Sequence, residues 1–226
     1  MKRVITVLLA VLLVLSLAAC GSGVETKKLA GTWTCTIDVT DRMNAAAEQA
    51  LGLSAADGAA QMPLQLVLTV TEDGAYTLRY DSDAVRTALD AYAAALHPAA
   101  VESVYAAAEE QGLSREEYDA AMEKAGITMD DMVAAIFAGV DEEELLSLLT
   151  GRSAALTGYC RAESGQLYLA DTAAELAETA DCLSYTLSDG TMTWTDAQGE
   201  LSSQLTEQEQ ELLRVPLTWT KRAEES

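Results

Sequence analysis

Four cysteines, one histidine and a run of acids are the residues of this 226-residue chain with the most obvious chemical use, and their spacing limits what each can do. His97 stands beside Pro98 at the end of a predicted helix, and the sequence places neither a nucleophile nor an orienting carboxylate near it. General-base catalysis needs a base with partners in reach, so His97 reads as a surface or capping residue. No catalytic residue is assigned, and the chain is expected not to be an enzyme. Asp141-Glu142-Glu143-Glu144 precedes Leu145, Leu146, Leu148 and Leu149, and acids in a first helical turn favour the helix dipole; the calcium-loop spacing with its glycine is absent. No cysteine pair has metal-ligand spacing, so neither a metal nor a cofactor is expected. With Cys20 set aside, Cys35, Cys160 and Cys182 permit at most one internal bridge. Cys160 and Cys182 fall on strands with a third strand between them, beyond the separation a bridge tolerates. Buried thiols are expected, with one bridge involving Cys35 as the alternative.

Cys20 is of a different kind. Lys2 and Arg3 precede an apolar run from Val4 to Ala19, broken only by Thr6 and Ser16, that ends in small residues. This is the layout of a secretory signal. The run is shorter than the roughly 20 apolar residues of a membrane-spanning helix, and Gly21, Ser22 and Gly23 follow it. Leu17-Ala18-Ala19-Cys20 resembles the lipobox of bacterial lipoproteins, in which the cysteine thiol receives a diacylglyceryl group and becomes the new N-terminus. The resemblance implies a signal peptide over residues 1–19 and a lipidated tether over residues 20–28. It also implies an extracytoplasmic protein anchored through lipid on Cys20 to the cell membrane, or to the outer membrane if the cell has two. More than one acyl chain is needed for such an anchor to hold.

Removing residues 1–19 leaves 12 basic residues against 36 acids, a net charge near −24. Nucleic acid and anionic lipid headgroups both repel so acidic a chain, and a nucleic-acid partner is excluded. Residues 82–150 hold 15 acids and 3 basic residues, a net of −12. Such a segment is a solvated face turned away from an anionic membrane, or the surface that meets a basic protein partner.

The elements that must position these residues follow from hydrophobic period. Leu29, Gly31, Trp33, Cys35, Ile37 and Val39 alternate with Thr32, Thr34, Thr36 and Asp38, the pattern of a half-buried strand. Leu64, Leu66, Leu68 and Val70 alternate in a second strand, and Asp73-Gly74 turns it into a third with Tyr76, Leu78 and Tyr80. Residues 154–161 and 166–170 flank Ser164-Gly165, residues 182–187 and 191–195 flank Asp189-Gly190, and Val215, Leu217 and Trp219 make an eighth strand. The other connections read as helical. Thr172 to Glu175, Thr206 to Glu209 and Ser114 to Glu117 have capping-box spacing, while Met129, Met132, Val133, Ile136, Phe137 and Val140 form a helical stripe. With eight strands running up and down, every tight turn falls at one end and every long connection at the other. That sorting predicts a mainly β fold: an eight-stranded antiparallel barrel over residues 29–226, helix-covered at one end, with a helical insertion over 82–153. A split sandwich with the same pairings is the alternative.

Leu29-Ala30-Gly31-Thr32-Trp33 resembles the Gly-x-Trp opening of the first strand in lipocalins and the wider calycin group, eight-stranded up-and-down barrels with a ligand cup. In that group a basic residue near the last strand packs over the first-strand tryptophan, and Arg222, or Lys221, is the candidate here. The resemblance implies a non-enzymatic binding protein for a small apolar ligand, with Trp33, Leu66, Leu68, Tyr76, Leu78, Trp194 and Trp219 facing the interior. Those residues either line a cup or fill a core. If they fill it, the chain is an envelope interaction module whose acidic insert meets its partner.

Overall fold

A computed structural model describes residues 24–53, 60–137, 155–179, 182–198 and 213–223. Eight strands, β1 (Gly31–Asp38), β2 (Pro63–Val70), β3 (Ala75–Tyr80), β4 (Leu156–Glu163), β5 (Gln166–Ala170), β6 (Cys182–Ser188), β7 (Thr191–Gln198) and β8 (Leu217–Lys221), form a closed barrel in sequence order. The ring closes where β1 pairs antiparallel with β8, Trp33 opposite Lys221.

Period-two burial explains why these segments are strands. Trp33, Cys35 and Ile37 of β1 are buried while Thr36 and Asp38 are exposed, and β2 buries Leu64, Leu66, Leu68 and Val70. The β4–β5 and β6–β7 hairpins turn on Ser164-Gly165 (φ 55° and 76°) and Asp189-Gly190 (φ 46° and 75°). Two successive positive φ values make the primed turn whose twist matches that of the paired strands. The barrel is therefore the expected up-and-down one.

Several strand limits differ from the expectation: Val39 lies outside β1, and β4 starts and ends two residues later than expected. Leu29 lies in a short helix, α1 (residues 24–29), rather than in the first strand. Its alternation with Gly31 and Trp33 is real, but its burial comes from the helix. β8 starts at Leu217, leaving Val215 outside it. The stretch expected to be tether is folded from residue 24, with Thr26 buried and its Oγ1 accepting a hydrogen bond from the Ala162 N–H at 3.0 Å.

The chain divides into two compact units. One holds the described residues up to Cys35, Leu66–Tyr80 and those after Ala154; the other holds Thr36–Gln65 and Asp81–Ser153. Besides most of the strand residues, the first unit contains α1 and α6 (Ala173–Leu176), which opens on the Thr172/Glu175 capping box. The second unit holds the end of β1 (36–38), the start of β2 (63–65) and the helices α2 (Thr40–Leu51), α3 (Ser82–Glu110), α4 (Arg115–Ala125) and α5 (Met129–Phe137). Leu53, Ala100 and Val133 form its small core, with Ile136 and Phe137 against it, and the Tyr92 hydroxyl donates to Asn44 Oδ1 at 2.8 Å. Asp81 caps α3, and Ser114 with Glu117 forms the expected capping box of α4.

Pro98 does not end a helix. It sits inside the 29-residue α3, and His97 is therefore a mid-helix residue, its Nε2 3.1 Å from Asp130 Oδ1. Proline disfavours the helical conformation of the residue before it, which is why the sequence reads as a stop. Buried Leu96 and Ala100 on either side, in an alanine-rich helix, outweigh that preference. Val140, the Asp141–Glu144 run and the Thr206–Glu209 box lie outside the described residues.

Candidate functional site: the barrel interior

Side-chain size along the barrel wall decides where space remains. Trp33, Leu66, Met192 and Trp219 are 0–2 % exposed and fill their part of the interior. β4 contributes only Gly158, Cys160 and Ala162 at its buried positions. Beside it lies an apolar recess, partly open to solvent, with a cavity volume of about 40 Å³ bordered by Leu68, Tyr76, Leu78, Leu156, Cys160 and Trp194, among others.

Gly158 makes room for Tyr76, one of the residues that border this recess. A Cβ there would come within 2.5 Å of the Ala170 carbonyl oxygen and 2.9 Å of Tyr76 Cε1. Tyr76 is its direct cross-strand partner, so the tyrosine ring lies against bare backbone. A glycine inside a strand pattern is the sequence mark of such an approach, and that signal was legible.

Of the seven residues expected to face a ligand, Leu68, Tyr76, Leu78 and Trp194 border the recess. Trp33, Leu66 and Trp219 do not; they are fully buried away from it. Leu156, Leu167 and Leu169 also border it and were not singled out from the sequence. Their strand alternation was visible, but not which strands face the smaller side chains of β4.

The first-strand tryptophan has a structural task. Trp33 Nε1 donates to the Leu29 carbonyl at 2.7 Å, closing the end of α1, and Lys221 Nζ lies 5.4 Å from its ring centroid. Lys221, the register partner of Trp33, is thus a cation over its ring, and Arg222, the next residue, gives its backbone N–H to the Thr32 carbonyl at 2.8 Å. Gly31 belongs to the same contact: its Cβ would fall 2.6 Å from Lys221 Cε.

The polar groups inside are few. Trp194 and Trp219 pack with ring centroids 4.8 Å apart, and among the described residues neither indole Nε1 has a hydrogen-bond partner. Cys35, Cys160 and Cys182 are buried and none of the three is joined to another by a disulfide. Burial pushes the Cys160 thiol up to about 12; it also pushes Cys35 up to about 11 against a hydrogen bond with the Thr218 backbone. Both thiols are protonated at neutral pH, and thiolate is the reactive form. Burial, then the charge of Glu25, raises the Tyr185 hydroxyl. No cluster of three or more metal-ligating side chains occurs among the described residues.

No protein family, curated protein or solved structure matches the chain. The arrangement defines it as an eight-stranded up-and-down antiparallel barrel with a helical insertion. Among the described residues no helix is long and apolar enough to cross a membrane, and Cys20 lies outside them.

Proposed function

We propose that the chain is an extracytoplasmic, lipid-anchored binding protein whose barrel takes a small, largely apolar molecule. The observation that carries this reading is the apolar recess beside β4. The Gly31-Thr32-Trp33 opening, with Lys221 over the tryptophan, supports a calycin-type barrel. Its cavity of about 40 Å³ is well below the ~150 Å³ of an apolar cavity that takes benzene. A ligand of that size therefore enters by displacing rim side chains, and Leu78, Leu156, Leu169 and Leu213, each partly exposed, are the ones placed to move.

The test uses the chain from residue 20 with Cys20→Ser, which keeps every described residue. Titration with compact apolar molecules should change tryptophan fluorescence saturably, because Trp194 borders the recess. Leu156→Trp, which fills the rim, should weaken binding at least tenfold while the variant keeps its β circular dichroism. Absence of saturable binding to the parent chain overturns the reading.

A second reading is supported by the helical unit. α4 buries none of its residues, and Leu113 and Ile127, just outside its two ends, are 39 % and 41 % exposed. In this reading a basic protein partner meets the acidic helical segment. Leu113→Ser with Ile127→Ser should then abolish partner cross-linking and leave the apolar titration unchanged.

A further inference from the structure

We propose that the molecule held in the barrel carries one uncharged hydrogen-bond acceptor, a ketone, ester, ether or alcohol oxygen, received by the indole Nε1 of Trp194. The inference rests on the binding reading above and narrows its ligand class. Trp194 is 7 % exposed, borders the recess, and has a buried Nε1–H without a partner among the described residues. A buried donor left unmatched is costly, and native proteins nearly always satisfy such groups. Trp219 has a second unmatched indole N–H, but Trp219 does not border the recess, so Trp194 is the one of the two that a guest can reach once it displaces the rim side chains around it.

The same wall excludes a charged headgroup. Its bordering side chains are apolar except for Tyr76 and Cys160, and the thiol of Cys160 stays protonated at neutral pH. No cation stands among them to offset a carboxylate, and a buried charge without a partner is far more costly than a neutral acceptor. The fitting ligand is therefore a neutral, compact amphiphile rather than a fatty-acid anion.

Three probes of similar shape separate the possibilities: cyclohexanone, methylenecyclohexane and cyclohexanecarboxylate, titrated into the chain from residue 20 with Cys20→Ser. Cyclohexanone should move the Trp194 indole N–H proton resonance downfield, as hydrogen bonding does, whereas methylenecyclohexane should bind without that shift. In Trp194→Phe the ketone should lose about five- to tenfold in affinity, the worth of one neutral hydrogen bond, and the alkene should change little. The carboxylate should bind more weakly than either. If ketone and alkene both bind but respond alike to Trp194→Phe, with no indole shift, the donor assignment is overturned and the apolar-recess reading stands. If the carboxylate binds as well as the ketone, the uncharged class is overturned. If no probe binds, the binding reading itself fails. The resonance is read in the parent chain, so the test holds even if Trp194→Phe does not fold.

Discussion

Gly31 holds a backbone angle of φ +126°, with the Lys221 stem where a side chain would begin. Lys221 can swing aside, but the angle cannot relax without moving β1, so Gly31→Ala should cost about 1–3 kcal/mol in urea unfolding. Lys221→Met keeps the apolar stem and removes the charge over Trp33; it should cost about 0.5–1 kcal/mol, more at low salt than at high salt. Both belong to a motif that the sequence displayed; what it did not display was which of two adjacent basic residues lies opposite Trp33, because that depends on the β1–β8 register. The buried thiols give a pH prediction. Their folded values, about 11 for Cys35 and about 12 for Cys160, lie above the ordinary 9.0. Above pH 9 the unfolded chain releases protons that the folded chain keeps. Stability from these thiols is thus fully present below pH 9 and declines toward pH 11 by about 1.4 kcal/mol per pH unit for each. Tyr92 and Tyr185, also raised by burial, add a loss of the same sign at higher pH. Urea denaturation from pH 8 to 10.5 should show the decline, and Cys35→Ala with Cys160→Ala should reduce its slope.

At the scale of elements, α3 carries the clearest conflict between local preference and fold. Pro98 is exposed and lacks the N–H that would meet the Ala94 carbonyl. Pro98→Ala should stabilise the helical unit by about 1–3 kcal/mol, read as a higher midpoint in far-ultraviolet thermal melting; a lower midpoint would show that the helical unit depends on the proline. Strands were the most legible elements, since alternation and Gly-containing turns act over a few residues. The capping boxes at Ser114 and Thr172 were legible for the same reason. The recess was only half legible: alternation marked Leu68, Tyr76, Leu78 and Trp194 as inward, but the same rule marked Trp33, Leu66 and Trp219. Whether an inward side chain borders space or fills it depends on the neighbours' sizes across the barrel, which one strand's sequence does not contain.

For the whole molecule, the insertion should be removable from the barrel. Leu78 of β3 and Leu156 of β4 are direct register partners, so the ends left by excising residues 82–153 lie close enough for a short hairpin loop. Such a variant should keep the β circular dichroism and cooperative unfolding of the barrel. It should also be less soluble, since Leu53 loses Ala100 and Val133. Loss of all cooperative unfolding would show the two units to be one. The anchor is tested separately: Cys20→Ser should abolish fatty-acid labelling, and continued labelling would remove the lipoprotein reading. Should Cys20 carry lipid, α1 sets the length of the leash. Residue 24 already belongs to the fold, so the chain between the lipid and the barrel can span at most about 14 Å. The helix at its end is bound to the tight-turn end of the barrel through Thr26 against Ala162 and beside Gly74. The protein would ride its membrane as a buoy moored by its base, free to tilt but not to wander, with the tight-turn end of the barrel kept toward the bilayer.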